Sequence, residues 1–488
     1  MSFWSSTKDV LSGRRPVGAV LGAAVKGYRT IRVAVRGSKA SGKTVFLTAL
    51  ASHLQDHRPT EFPLGGRIVT WDRDAISGET LHGLPRFSYE EARAFLARGE
   101  WPAKTTATSI LALRLLIEDK TGRQENVQLE VVDIPGERIA DFAMKGRSYR
   151  SWCRWMQRES ATPAYTAYVD AVKKAGPDDA EPLFAAYRDF LAQEYVNGAP
   201  CITPSAVKLG IDGEKRGGSP AAFRAAIDSV PVGFTDGKGR VWDFVPLPES
   251  CFEKGSPWHG LIKRFERGYD RYVATVVRPI ADWMAGAEKL FYLVDMLSLL
   301  QQGAKACDSE RQYGEAAIGA LCPRRGSALR RLGRWASGVL WQTRIRAVYV
   351  VTTKADCVWS RTNRDNLVLL ADALLGRALR CVDRTRVSTC ILPCAAVCST
   401  RERTDGQPGL QGPIPDPAQP DARPALKKWR PSDVPAVWPR SSEEWEAAIA
   451  DGTFNYPFAF PWFDAAQICL PRQLNLDILA EALLARED

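Results

Sequence analysis

Six short apolar runs recur along the chain: IRVAV at 31–35, SILALRLLI at 109–117, VQLEVV at 127–132, KLFYLV at 289–294, AVYVV at 347–351 and CIL at 390–392. Their length and their content of β-branched and aromatic residues predict buried strands. Between the second and third, DKTGRQE predicts a hairpin turned at 120–122. Other stretches repeat their apolar residues every three to four positions and predict helices. These are VFLTALASHL directly after the first strand, SYEEARAFLARGE at 88–100 with Ser88 as N-cap, YRSWCRWMQRE at 149–159, EPLFAAYRDFLAQEYV at 181–196, and NLDILAEALLARED at 475–488 capped by Asn475. Strands alternating with helices predict an α/β fold, a mainly parallel twisted sheet with helices on both faces. Helix-periodic, aromatic runs fill 138–282 and predict a large, mainly helical insertion. Nine prolines between 406 and 440 argue for an extended cover or linker there, not a helix or central strand. The expected organisation is an N-terminal arm at 1–29, an α/β domain at 30–137 and 283–405, the insertion at 138–282, and a proline-rich cover with a closing helix at 406–488.

Bulk composition adds constraints. A chain of 488 residues is too long for one ordinary core, and 45% hydrophobic with 25% charged residues is a soluble globular composition. The formal charge of +10 suits an acidic partner, yet 66 basic against 56 acidic groups leave the surface mixed. Eleven cysteines and an opening that lacks the order of a secretory signal point to a reducing cytoplasm. The longest apolar runs, such as GAVLGAAV at 18–25, fall short of the roughly 20 residues of a spanning helix. The N-terminal arm and the basic run PRRGSALRRLGRW at 323–335 offer a surface for anionic lipid at the inner membrane; a solvated helix face is the plainer reading. No specific nucleic-acid motif is present, and oligomeric state is not legible.

The first strand leads into GSKASGKT at 37–44, which satisfies G-x4-G-K-T between a strand and a helix. Gly37 and Gly42 let the backbone curl so that amides of Gly37, Ser38, Lys39, Ala40, Ser41, Gly42, Lys43, Thr44 and Val45 face inward, and the helix adds its positive end. Anionic phosphate is what such a ring binds. Lys43 reaches the β and γ phosphates, and the Thr44 hydroxyl is a hard oxygen for Mg²⁺. A second metal-holding acid is expected at the end of another strand. Asp133, followed by Gly136 in DIPGER, fits better than Asp295, which has no glycine nearby and reads as a strand-end acid.

The fifth run delivers T-K-x-D at Thr353, Lys354 and Asp356. Guanine presents two adjacent donors, N1–H and the N2 amine, and a carboxylate accepts both; adenine would strand it. Asp356 is therefore the expected base reader, with the Lys354 stem along the ring and the amides of Cys394, Ala395 and Ala396 toward the guanine oxygen. His53 and His57 lack a third ligand, and Cys390, Cys394 and Cys398 lack a local histidine. Both groups read as structural, the cysteines as small buried residues.

With these motifs in order, the chain resembles the YcjX-like family of bacterial P-loop GTP-binding proteins. The likeness rests on GSKASGKTVFLTAL, DIPGER, YRSWCRWM, VVRPIADWMAGAEKLFYLVDMLSLLQQG, VTTKADCV and AAVCST, spread from about residue 31 to 400. It implies a G domain, GTP and GDP binding, Mg²⁺, a cytoplasmic bacterial setting, a helical insertion and, often, a link to stress responses. Two departures stand out: Ala40 where the family carries Arg before S-G-K-T, and Ile134 and Arg138 where its switch reads D-Y-P-G-E-W. In a G-domain layout Thr105 (or Thr106) of WPAKTTATSI becomes the switch I metal ligand, and Gly136 the γ-phosphate contact. Glu137 takes the place of a water-orienting glutamine, with Arg138 as a transition-state arginine or a solvent-facing switch residue. The expected function is a slow Mg²⁺-dependent GTPase switch for an unidentified protein effector. The rivals are a nucleotide-binding module without turnover and an ATP-dependent transferase.

Overall fold

The computed structural model describes residues 28–37, 41–72, 80–102, 108–134, 138, 141, 144–159, 162–196, 204–205, 207, 225–228, 230–322, 344–414, 425–457, 459, 461 and 472–485. All six apolar runs form strands, joined by an edge strand that the pattern did not announce. In chain order they are β1 Arg29–Gly37, β2 Gly66–Asp72, β3 Ser109–Asp119, β4 Gln124–Asp133, β5 Lys289–Val294, β6 Ala347–Thr352 and β7 Ser388–Pro393. They make one sheet in the order β7-β6-β5-β1-β4-β3-β2. β4, β1, β5, β6 and β7 run parallel, while β3 and β2 add antiparallel pairings at one side. The β3–β4 hairpin turns at 120–122 as expected, with Gly122 at φ 81° and Asp119 Oδ1 accepting from the amides of Thr121 and Arg123.

The chain leaves β1 toward β4 on one side and β5 on the other, so the strand order reverses at β1. Ligands of open α/β sheets bind at such a point, beyond the carboxyl ends of the strands. One face of the sheet carries Val33, Val35, Leu129, Val131, Phe291, Leu293 and Val351, all buried. Helix α1, Lys43–Gln55, covers it with Phe46, Leu50 and Leu54, and the last helix of the chain inserts Leu476, Leu479, Ala480 and Leu483 into the same core. Helix α2, Tyr89–Ala97, begins at Ser88 as expected and buries Tyr89, Ala92 and Leu96 there, although the Ser88 side chain makes no capping bond.

The described chain divides into two compact units. The first holds the seven-stranded sheet, residues 286–322 and the C-terminal segment. The second lies between Pro135 and Ala285. Its helices are α3 Tyr149–Glu159, α4 Pro163–Ala175, α5 Glu181–Val196, α6 His259–Tyr272 and α7 Arg278–Ala285, with a π-helical turn Val273–Val277 between the last two. Aromatic packing forms its core. Trp152 meets Phe244 at 5.6 Å and Tyr269 at 5.3 Å, and the Tyr149 and Tyr168 hydroxyls each donate to a buried carbonyl, Val245 O and Pro246 O, at 2.6 Å.

In the first unit, β5 leads to α8 Met296–Gln302 and α9 Ala304–Leu321, and β6 to α10 Arg361–Arg380. The proline-rich stretch corrects its reading as plain loop. β8 Arg401–Glu402, β9 Leu410–Ile414 and β10 Ala425–Trp429 form an antiparallel sheet with β9 in the middle. Pro413 is tolerated there because β8 pairs only with Leu410 and Gln411; among the described residues the strand has one neighbour at 413. Helices α11 Ser442–Ala450 and α12 Leu476–Leu484 follow. No helix among the described residues is long and apolar enough to cross a membrane.

Candidate functional site

β1 ends at Gly37 beside β5, and a side chain is excluded there. A Cβ on Gly37 would lie 2.3 Å from Leu293 O and 2.4 Å from Ser41 Oγ. The loop re-enters the helix through Gly42 at φ 83°, a left-handed conformation that glycine adopts without steric cost. Lys43 Nζ donates to Gly37 O at 2.9 Å, which folds its ammonium back over the loop. Ser41 is fully buried, and its Oγ has no hydrogen-bond partner among the described residues. Thr44 and Val45 stand in the first turn of α1, Val45 packing against the core. A glycine-only approach, an orphaned buried hydroxyl and a lysine over a helix N-terminus together fit a phosphate group. Ser38, Lys39 and Ala40 lie outside the described residues.

Asp133 closes β4 in register with Val35 and is 1% exposed. With the Thr44 hydroxyl it supplies hard oxygen donors of the kind that hold Mg²⁺. Thr105, Thr106, Gly136 and Glu137 lie outside the described residues. Arg138 is described, and its expected solvent-facing position is corrected. Its side chain is 14% exposed and donates within the second unit to Tyr272 Oη at 2.9 Å, Ser205 Oγ at 3.0 Å and Asp141 Oδ2 at 3.4 Å. The desolvation that burial imposes on a guanidinium is offset by this carboxylate.

β6 delivers Thr353, Lys354 and Asp356. Thr353 donates its amide to Val294 O at 2.9 Å, tying the motif to the end of β5. Lys354 adopts φ 60°, costly for a residue with a Cβ and sustained by an ion pair to Asp295. Asp295, 4% exposed, also caps α8, accepting from Ser298 N at 3.0 Å and Ser298 Oγ at 2.5 Å. It is a strand-end acid, as read from the sequence, with the added task of fixing Lys354.

The Asp356 carboxylate is buried at 8% exposure, and one oxygen, Oδ2, accepts from Ser399 N at 2.7 Å, Ser399 Oγ at 2.9 Å and Thr400 N at 3.2 Å. Burial pushes its pKa above the ordinary carboxylate value, and these donors oppose the shift. Ser399 and Thr400 were not singled out from the sequence; their only signal was the polar pair closing AAVCST. The reading of Cys394 and Ala395 is corrected: their N–H groups donate to Thr352 O at 2.8 Å and Leu474 O at 3.0 Å. Ala396 follows it, half-buried. The cysteine reading is corrected in part. Cys394 is buried, but Cys390 is exposed. His53 stacks on Phe62 at 4.5 Å, and His57 Nε2 contacts Phe62 O at 3.0 Å.

Registry joins the two motifs. Gly37 pairs with Leu293 of β5, and Thr352 of β6 pairs with Val294. The phosphate loop and the T-K-x-D turn thus leave the same sheet edge at the same height, two strand spacings or about 10 Å apart. One extended ligand with an anionic end and a planar end can span both.

The model of the YcjX-like family, DUF463, matches residues 31–223 and 235–486. Over 385 residues the chain is 25% identical to the Ras-like GTPase YcjX of Shewanella oneidensis, covering 71% of this chain and 72% of that protein. Over 199 residues it is 31% identical to the Ras-like GTPase YcjX of Escherichia coli, covering 36% of this chain and 42% of that protein.

Proposed function

The chain belongs to the YcjX-like family, and from that premise we propose that its first unit binds GTP and GDP and hydrolyses GTP. The observation that carries this reading is the common sheet edge of Gly37–Thr44 and Thr353–Asp356. Backbone amides and Lys43 grip the phosphates; Asp356, held by Ser399 and Thr400, accepts from guanine N1–H and N2–H. Ala396 lines the base end, and the Lys354 stem lies along the ring. Thr44 and Asp133 would hold Mg²⁺, with Thr105 as switch ligand. The ion, when bound, neutralises charge on the β and γ phosphates.

Turnover is slow in this reading. Glu137 stands where a water-orienting glutamine is useful, and its own charge opposes the phosphates. Arg138 is committed to Asp141, Ser205 and Tyr272, so transition-state charge falls to Lys43 and the metal. Loss of the γ phosphate frees Gly136 and changes the switch, which signals to a protein effector, in keeping with a role in stress responses. The setting is cytoplasmic, with the basic run at 323–335, outside the described residues, as the candidate contact to an anionic membrane surface.

The test is titration of GTP, GDP and ATP against the full chain with and without Mg²⁺, followed by single-turnover phosphate release. Guanine preference, Mg²⁺-enhanced GTP binding and release above background are the expected results. Preference without release leaves a binding module; equal affinity for ATP and GTP favours the ATP-dependent transferase.

A further inference from the structure

The loop that orients Asp356 is tied at Cys394 to β6 and the T-K-x-D turn, by Cys394 N to Thr352 O at 2.8 Å and Ala355 N to Cys394 O at 3.2 Å, and on either side of that point to residues at the far end of the chain. Leu474 and Ala395 exchange two backbone bonds, Leu474 N to Ala395 O at 2.8 Å and Ala395 N to Leu474 O at 3.0 Å. Cys398 N donates to Arg472 O at 2.7 Å, directly before the Ser399 amide that meets Asp356. Asn475 Nδ2 donates to Pro393 O at 2.8 Å, at the exit of β7. The Asn475 backbone sits at φ 60°, and its side chain does not cap α12; Gln473 Oε1 takes the Leu476 amide instead, at 2.7 Å. Asparagine is spent on the loop while a neighbour caps the helix. The helix itself is anchored in the core that carries α1.

We propose that Arg472–Asn475 is a positioning clamp for guanine recognition, with Asn475 its key side chain, a reading that rests on the guanine site proposed above. Four bonds from this segment hold the backbone from Pro393 to Cys398 on both sides of Cys394, and that backbone sets where Ser399 and Thr400 hold the Asp356 carboxylate. Loosening the clamp lets the carboxylate turn away from the base while leaving the phosphate loop, two strands off, as it was. Its signature is therefore a loss of base discrimination and not of phosphate affinity.

Asn475→Gly tests this, because glycine keeps the left-handed backbone and deletes only the bond to Pro393. Affinities of the full chain for GTP, GDP and ATP are measured by calorimetry, with thermal unfolding of the nucleotide-free protein as the folding control. Loss of one hydrogen bond should weaken GTP and GDP about fivefold and leave ATP unchanged. An equal fall for all three nucleotides, or no fall in a folded variant, overturns the clamp. A wild-type chain with no guanine preference instead overturns the guanine site, and the clamp with it. If the variant does not fold, hydrogen exchange on the wild-type chain decides. GDP should slow exchange at the amides of Ala395, Cys398 and Leu474 together; protection of Ala395 and Cys398 without Leu474 overturns the proposal.

Discussion

At the scale of single residues, Asp356 and Gly37 make opposite demands on their surroundings. Asp356 is an ionisable group in a buried place, so its folded-state pKa is raised. Folding then favours the protonated acid: stability from this group is present at low pH and lost as pH rises through the raised value. Guanine recognition requires the ionised form, so GTP preference over ATP should weaken as pH falls toward that value from neutrality, measurable by titration at stepped pH. Asp356→Asn replaces one acceptor with a donor. Xanthine has a carbonyl where guanine has its N2 amine, so this variant should lose roughly a hundredfold or more in GTP affinity and prefer xanthosine triphosphate. Retained GTP preference in the variant would remove Asp356 as reader. Gly37→Ala meets Leu293 O at 2.3 Å, a backbone atom of a central strand that cannot yield, so nucleotide binding of either base should fall below detection. Both residues were legible because each sits in a local motif after an apolar strand. Ser399, Thr400 and Asn475 were not. Their meaning depends on partners at Asp356 and Pro393, 43 to 82 residues away, and nothing in a local pattern marks such a pair.

At the scale of elements, periodicity identified strands and helices, and capping was less legible. α12 was expected from its apolar spacing, with Asn475 as a conventional N-cap; the helix is there, but the asparagine faces β7. Capping bonds at its other end come from afar, since Lys289 Nζ donates to Ala482 O at 2.5 Å and Ala485 O at 2.9 Å. β2 went unread because its GRIVTWD lacks a long apolar run, being half-buried at the sheet edge. Proline density misled for 406–440, since what excludes proline from a strand is a neighbour needing its N–H, and among the described residues β9 has none beyond Gln411 on one side. The position of α12 in the core leads to a prediction. Leu479 and Leu483 are buried at 1% and 0% among the residues of α1. Leu483→Ala should cost about 2–5 kcal/mol, read as a lower denaturant midpoint for the first unit. A change below about 0.5 kcal/mol would mean that the C-terminal helix is not part of that core.

At the scale of the molecule, two cores of different chemistry share one chain. The first is an aliphatic sheet-and-helix core, the second an aromatic one with a buried polar cluster of Arg138, Asp141, Ser205 and Tyr272. Asp141 accepts from Ser205 N at 2.8 Å and Tyr272 Oη at 2.6 Å, so its carboxylate is the hub. Asp141→Ala would leave Arg138 buried without its counter-charge, at a cost of about 3–5 kcal/mol. Replacing both by apolar residues, Arg138→Met with Asp141→Leu, should cost less than the single change, because no charge is then stranded. If nucleotide binds the first unit as proposed, GTP with Mg²⁺ at a hundred times its Kd should stabilise that unit by about 2.7 kcal/mol. Scanning calorimetry of the full chain should then resolve two transitions, one raised by nucleotide and insensitive to Asp141, the other lowered by Asp141→Ala and insensitive to nucleotide. A single transition moved by both would show instead that the units unfold as one, and that the charge cluster around Asp141 contributes to the stability of the first unit.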